Sequence, residues 1–177
     1  MSCLALSPFI ESPRLRLRGV CKSDLARLVE LANDYDVVKN TGSMPFPYTL
    51  ADAQAWYDRT LAADPNDTAQ FVLEMDADGP IGTLGFFPGR GGFSEIGYWI
   101  GKPYWGQGLA TEAAKSAVVW ARDDWRRKAL IACHNIDNQA SGEVLIKAGF
   151  LYTGDVEPKF CKSRDAEVQV RWMVWLA

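Results

Sequence analysis

The chain predicts a mixed α/β (α+β) fold, with one mixed central sheet of about seven strands flanked by about four helices. Three observations lead there. Apolar residues recur at strand period in several short runs and at helical period in others. The runs follow the order βααβββαβαββ. Residues 103–112, Pro-Tyr-Trp-Gly-Gln-Gly-Leu-Ala-Thr-Glu, set three small residues (Gly106, Gly108, Ala110) between a strand-like run and an amphipathic helix. At 177 residues the chain suits one domain over 10–177 behind an N-terminal extension at 1–9.

Each element has its own signal. Leu15 and Leu17 alternate with Arg14, Arg16 and Arg18, as a half-buried strand requires. Ser23-Asp24 opens a helix with Leu25, Leu28, Val29, Leu31 and Ala32 on one face. Residues 34–48 read as irregular, broken by Gly42, Pro45 and Pro47. Thr49 can cap a second helix that runs to about Ala63. Residues 71–75, 81–87 and 95–101 read as three successive antiparallel strands, turning at Asp78-Gly79-Pro80 and through 88–92. The helix from Gly108 carries Leu109, Ala113, Ala117, Trp120 and Ala121 on one face, and 129–133 reads as a short buried strand. Asn138 is placed to cap a last helix and Gly149 to stop it in a left-handed conformation. A short strand at 151–153 and a polar loop at 154–165 follow. Val168, Val170, Trp172, Val174 and Leu176 then alternate as the final strand.

Composition narrows the function classes. Net charge is −3, which argues against a general nucleic-acid or anionic-membrane binder. The four cysteines (Cys3, Cys21, Cys133, Cys161) are widely spaced, form no C-x-x-C, and accompany a single histidine, His134. A structural zinc site is therefore not expected, and no other metal site is. Reduced thiols in a cytoplasmic protein fit better. The run at 3–10 is broken by Ser7 and Pro8 and lacks a preceding basic residue, so it is not expected to be a signal peptide. No segment approaches membrane-spanning length.

The glycine bend carries the chemistry. The first N–H groups of a helix have no internal partner, and the dipole adds about half a positive charge there. Such a bend is an anion site and points to a phosphate ester. It is not a P-loop, because Gly108-Leu109-Ala110 lacks Gly-Lys-Ser/Thr. It is not a dinucleotide fingerprint either, since Thr111 stands where the third glycine would be. What remains resembles the pyrophosphate loop of the GNAT N-acetyltransferases, Arg/Gln-x-x-Gly-x-Gly/Ala. It spans 105–110, with Trp105 in the first position as in the RimJ/RimL-like branch. Residues 138–150, Asn-Gln-Ala-Ser-Gly-Glu-Val-Leu-Ile-Lys-Ala-Gly-Phe, are similar to the same family's second motif, one helix and one strand further on. Residues 11–18, Glu-Ser-Pro-Arg-Leu-Arg-Leu-Arg, are similar to the branch's first strand.

The resemblance covers about residue 10 to the C-terminus and implies the GNAT acyl-coenzyme-A N-acyltransferase fold. It implies direct transfer of acetyl from acetyl-CoA to a primary amine, a protein N-terminus or a small molecule, by a monomer or homodimer. The pyrophosphate would rest on Trp105, Gly106, Gln107, Gly108, Leu109 and Ala110. The pantetheine arm would pair with the fourth strand near Trp99, Ile100 and Gly101. Thr111 reads either as a hydroxyl donor to phosphate or as an exposed helix residue, and Asn138 as a cofactor ligand, a helix cap, or both. Lys147 and the cluster Arg126-Arg127-Lys128 read either as phosphate partners or as solvated charges. Many relatives protonate the departing thiolate with a tyrosine seven residues after the motif asparagine, where Leu145 stands here. The branch often uses a serine three after it, which makes Ser141 the candidate.

Amine attack needs a neutral nucleophile. An α-amino group with pKa near 7.7–8.0 is roughly a tenth to a fifth neutral at pH 7, whereas lysine at ~10.4 is almost wholly ionised. Glu95 acting through water is the candidate base, against an exposed strand-end role. His134 is the second, against a structural one. Tyr48, Trp56 and Tyr57 either wall the acceptor pocket or belong to the core. Segments 34–48 and 154–165 are expected to border the acceptor end of the cleft. The alternative is an acyl-CoA-binding protein of this fold without efficient transfer, a sensor or partner.

Overall fold

The computed structural model describes residues 8–177. Its elements are β1 (Ile10–Glu11), β2 (Arg16–Arg18), α1 (Leu25–Ala32), α2 (Tyr35–Val38), α3 (Leu50–Ala62), β3 (Ala69–Met75), β4 (Gly79–Pro88) and β5 (Ser94–Ile100). They continue as α4 (Leu109–Asp123), β6 (Ala129–Asn135), α5 (Gln139–Lys147), β7 (Leu151–Cys161) and β8 (Ala166–Leu176). The strands form one sheet in the order β1-β2-β3-β4-β5-β6-β8-β7, antiparallel throughout except where β5 meets β6. The mixed sheet and its flanking helices are those expected. Among the described residues the count is eight strands and five α-helices, slightly above the prediction.

The helices start and stop where the sequence marks them. Thr49 and Asp52 form a reciprocal capping box at α3, satisfying backbone N–H groups that the helix cannot. The Asn138 carboxamide accepts from the Ser141 N–H at the start of α5, and Gly149 at φ +95° ends that helix. The small residues Ala113, Ala114, Ala117 and Ala121 let α4 lie close on one face of the sheet, against Leu17, Phe71, Leu84, Phe86 and Ile96. On the other face α1 and α3 close over Val72 with Val20, Leu25, Leu28, Ala53 and Tyr57. Each fully buried Val, Leu, Ile or Phe among them contributes roughly 1.5–3 kcal/mol.

Three expectations are corrected. β1 is an additional strand of two residues, too short to show periodicity. Within the supposedly irregular 34–48, α2 forms one turn, capped by the Asp34 carboxylate on the Asp36 N–H at 2.8 Å. The polar loop at 154–165 is mostly strand, because β7 continues to Cys161 and only the turn at 162–165 is loop. Nearly every β7 residue is exposed, so no buried face imposed an apolar alternation. Its backbone pairing to β8 holds it, with an irregularity between Tyr152 and Val156.

One topological feature makes the site. β5 and β6 pair only through Ser94↔Leu130 and Glu95↔Ile131 and then part. Beyond Glu95, β5 is held by β4 alone and β6 by β8 alone. A wedge opens in the middle of the sheet, with α5 packed against its β6 side and the start of α4 across its end.

Candidate active site

At the end of the wedge the chain bends through Gly106 (φ +74°) and Gly108 (φ +77°) into α4. No side chain caps this helix start, which leaves its first N–H groups open to an anion. A Cβ at Gly106 would meet nothing within 4 Å, and one at Gly108 only Arg14 Nη2 at 3.7 Å. Glycine is therefore required by the left-handed backbone and not by crowding.

The bend is braced from outside. Arg14 donates through Nη1 to the Gln107 carbonyl at 2.9 Å and through Nε to Glu112 Oε2 at 2.7 Å. Ser12 Oγ and the Arg14 N–H both donate to Glu112 Oε1 at 2.7 Å. Burial alone would raise the Glu112 pKa, but these donors outweigh it and the net shift is downward. Glu112 is thereby kept charged and occupied beneath the loop.

A groove of about 440 Å³ runs from this bend along the wedge. Of the residues expected at a cofactor, Trp99, Ile100, Trp105, Gly106, Gly108, Leu109, Ala110, Thr111, Asn138, Ser141 and Lys147 all line it. Gln107 and Gly101 do not. The Gln107 amide turns back to the Pro103 carbonyl at 3.1 Å, and Gly101 packs on Leu31, where a Cβ would come within 2.8 Å. Trp105 donates its indole N–H to the Ile100 carbonyl at 2.7 Å, closing the end of β5. The cluster 126–128 lies beyond the far end of α4, about 22 Å away at 1.5 Å per residue. There Arg127 stacks on Trp125 at 3.8 Å, so these charges do not face the groove.

A second cavity of about 770 Å³ lies on the other side of the wedge. It shares Asn40, Thr41, Tyr98, Trp99 and Ser141 with the groove, so the two spaces meet at α5's first turn. Residues of both expected acceptor segments border it, Asn40–Met44 with Tyr48 from the first and Lys159–Cys161 from the second. Tyr48 and Trp56 line the cavity, whereas Tyr57 is buried in the core. At the junction the Tyr98 hydroxyl lies 3.0 Å from Ser141 Oγ and donates to the Ser141 carbonyl at 3.2 Å. Burial pushes the Tyr98 phenol up to about 12, with the Ser141 hydrogen bond opposing. Sequence reasoning missed Tyr98. Its only signal was a strand residue alternating with Ile96 and Ile100.

Glu95 is buried at 7 % exposure, not an exposed strand end. Its Oε1 accepts from Lys159 Nζ at 3.0 Å and from Cys133 Sγ at 3.4 Å. Burial, then the Glu95 charge, pushes the Cys133 thiol up to about 11. Burial would lower the Lys159 pKa, but Cys133 and Glu95 together raise it. His134 also lines the cavity, with both ring nitrogens engaged: Nδ1 with the Asn135 carbonyl at 2.9 Å, Nε2 with the Tyr152 hydroxyl at 2.9 Å. A carbonyl only accepts, so Nδ1 donates to the Asn135 carbonyl.

Cysteine chemistry departs from the expectation of reduced thiols at one position. Cys133 and Cys161 are free, while Cys21 is disulfide-bonded. Sequence spacing carries no information on which sulfurs meet in space. The expectation for Cys3 lies outside the described residues. No helix among the described residues is long and apolar enough to cross a membrane.

A family model of the acetyltransferase (GNAT) domain matches residues 14–151. The chain belongs to the GNAT acetyltransferase family. YdaF of Bacillus subtilis (strain 168), provisionally named a ribosomal N-acetyltransferase, is 33 % identical over 61 residues. That match spans 34 % of this chain and 33 % of the relative. Solved structures share the fold along the whole GNAT domain. A Bacillus anthracis GNAT-family acetyltransferase superposes with TM-score 0.81 at 22 % identity, covering 96 % of this chain and 98 % of the other. Mycobacterium smegmatis RimJ, solved with CoA-disulfide, gives 0.84 at 19 %, covering 97 % and 88 %. Vibrio cholerae spermidine N-acetyltransferase, solved with CoA and spermine, gives 0.76 at 19 %, covering 93 % and 96 %.

Proposed function

We propose that this GNAT domain transfers acetyl from acetyl-CoA to a primary amine by direct attack. One observation carries the reading: the groove ending at the open helix start and the larger cavity meet at Ser141. A thioester lying along the groove would present its carbonyl where an amine from the cavity could reach it.

The residues take roles from their positions. The backbone N–H groups of the bend at 106–111 hold the pyrophosphate, with the Thr111 hydroxyl as a further donor. The edge of β5 that parts from β6 offers backbone groups beside Trp99 and Ile100 to the pantetheine amides, as an added strand would, although the Ile100 carbonyl itself is held by the Trp105 indole. Asn138 and Lys147 flank the groove on α5. Ser141 donates to the sulfur as it departs. Glu95 is the acidic side chain on the cavity wall, and it takes the amine's proton through water. His134, with both nitrogens occupied, positions Tyr152 and α5 and does not serve as the base.

Thiol release from acetyl-CoA with a panel of amines tests the reading, run beside calorimetry of coenzyme A binding. Saturable release with at least one amine supports transfer. Tight coenzyme A binding with no release above the hydrolytic background supports the sensor alternative instead.

A further inference from the structure

The larger cavity carries a charge pattern that its walls do not satisfy. Among its lining residues the acidic side chain is Glu95, and Lys159 already neutralises it at 3.0 Å. Arg59 of α3 also lines the cavity, three residues beyond Trp56 and therefore on the same helix face. Arg59 has no ion-pair partner among the described residues. Asp52 and Asp58 do not line the cavity and form no ion pair with Arg59; Asp52 accepts from Thr49 at 2.6 Å and Asp58 from Gln54 at 2.8 Å. Beside Arg59 stands Tyr48, 8 % exposed, whose hydroxyl makes no hydrogen bond among the described residues. The two side chains feel each other: burial, then Asp52, pushes the Tyr48 phenol up to about 12, while Arg59 opposes. Tyr48 therefore keeps its proton as a donor at neutral pH. A phenol and a guanidinium, both without acceptors, face one cavity.

We propose that Tyr48 and Arg59 form an anion-binding corner, and that the acceptor is a primary amine carrying a carboxylate. The proposal rests on the transfer reading above and adds the substrate class to it. A guanidinium matches a carboxylate in two parallel hydrogen bonds, and the phenol supplies a third donor. Trp56 and Trp99 give the body of such a molecule an apolar wall. A polyamine fits poorly, because each further ammonium would enter beside Arg59 and Lys159, and the one carboxylate of the lining, Glu95, is already paired. The carboxylate has two sources, a free amino acid or an acidic first residue of a peptide.

Paired acceptors separate these: phenylalanine with phenylalaninol, and Asp-Phe amide with Asn-Phe amide, each beside spermidine. With wild-type protein and saturating acetyl-CoA, the acidic member of at least one pair should have a kcat/KM higher by about tenfold or more. Which pair responds names the source. In Arg59→Gln that preference should collapse to about threefold or less through KM, and Tyr48→Phe should reduce it partway. Spermidine as the best acceptor, or a preference unchanged in both variants, overturns the corner. Should coenzyme A bind and no amine react, the transfer reading fails by itself. The corner is then judged by calorimetry of the same pairs on CoA-loaded protein: tighter binding of the acid sustains it, and equal binding overturns it.

Discussion

Tyr98 and Ser141 join the two sides of the split sheet, hydroxyl to hydroxyl at 3.0 Å, between β5 and the first turn of α5. With its phenol near 12, Tyr98 stays protonated across neutral pH and so remains a donor. Its single proton goes either to the Ser141 carbonyl at 3.2 Å or to Ser141 Oγ at 3.0 Å, and in the second arrangement the serine proton is free to point along the groove. Hydrogen bonds in such a chain polarise one another.

Ser141→Ala should lower turnover by about ten- to a hundredfold, or ~1.4–2.8 kcal/mol, while acetyl-CoA binds within a few-fold. Tyr98→Phe should cost less, roughly three- to tenfold. The double variant should be no worse than Ser141→Ala, because the tyrosine acts through the serine. Steady-state kinetics of the three proteins decide it. Additive losses would mean that Tyr98 acts independently.

Gly108→Val should weaken coenzyme A binding by about tenfold or more, ~1.4 kcal/mol. The position is at φ +77° with open space above, so a β-branched residue must either strain the backbone or move the bend. Calorimetry on the folded variant is the check. Undiminished affinity would remove the bend from the phosphate site.

Gly142→Ala should destabilise the protein although alanine favours helices by up to ~1 kcal/mol. The added Cβ would lie 2.7 Å from the Tyr152 hydroxyl and 2.8 Å from His134 Nε2. Relieving such overpacking costs ~1–3 kcal/mol, so the clash wins. Thermal unfolding should show a lower Tm, and turnover should fall too because Ser141 is the adjacent residue. A raised Tm would contradict the packing of α5 on His134.

The Arg18 network should set part of the acid limb of stability. Arg18 binds Asp24 at 2.8 Å and Glu74 at 2.9 Å, and the Asp24 carboxylate also accepts from the Cys21 N–H. The Arg18 hydrogen bond holds the Glu74 pKa below its ordinary value, against the upward push of burial. A depressed carboxylate pKa adds stability above its unfolded value of ~4.3, and that stability is lost as pH falls through the folded value. Arg18→Met should cost roughly 2–4 kcal/mol near pH 7 by leaving two carboxylates unpaired. It should also flatten the decline below about pH 5. Urea unfolding across pH reads both effects, and parallel curves for the two proteins would refute the second.

What the sequence determined by itself is local in origin. The bend at 106–108, the caps at Thr49 and Asn138, the stop at Gly149 and the alternation of β8 are demands of backbone and period. Each needs only a few neighbouring residues, so it is written within them. Most residues expected at the cofactor follow, because they sit on two such local motifs. Tertiary structure decided what depends on strand order. Only the parting of β5 from β6 brings Tyr98 to Ser141, 43 residues away, and only β7 brings Lys159 to Glu95, 64 away. Arg14 reaches Glu112 across 98 residues for the same reason. The reach of β7 beyond Thr153 was hidden because a strand exposed on both faces has no cause to alternate. Its partner's backbone makes it a strand, and no residue type announces a partner's backbone.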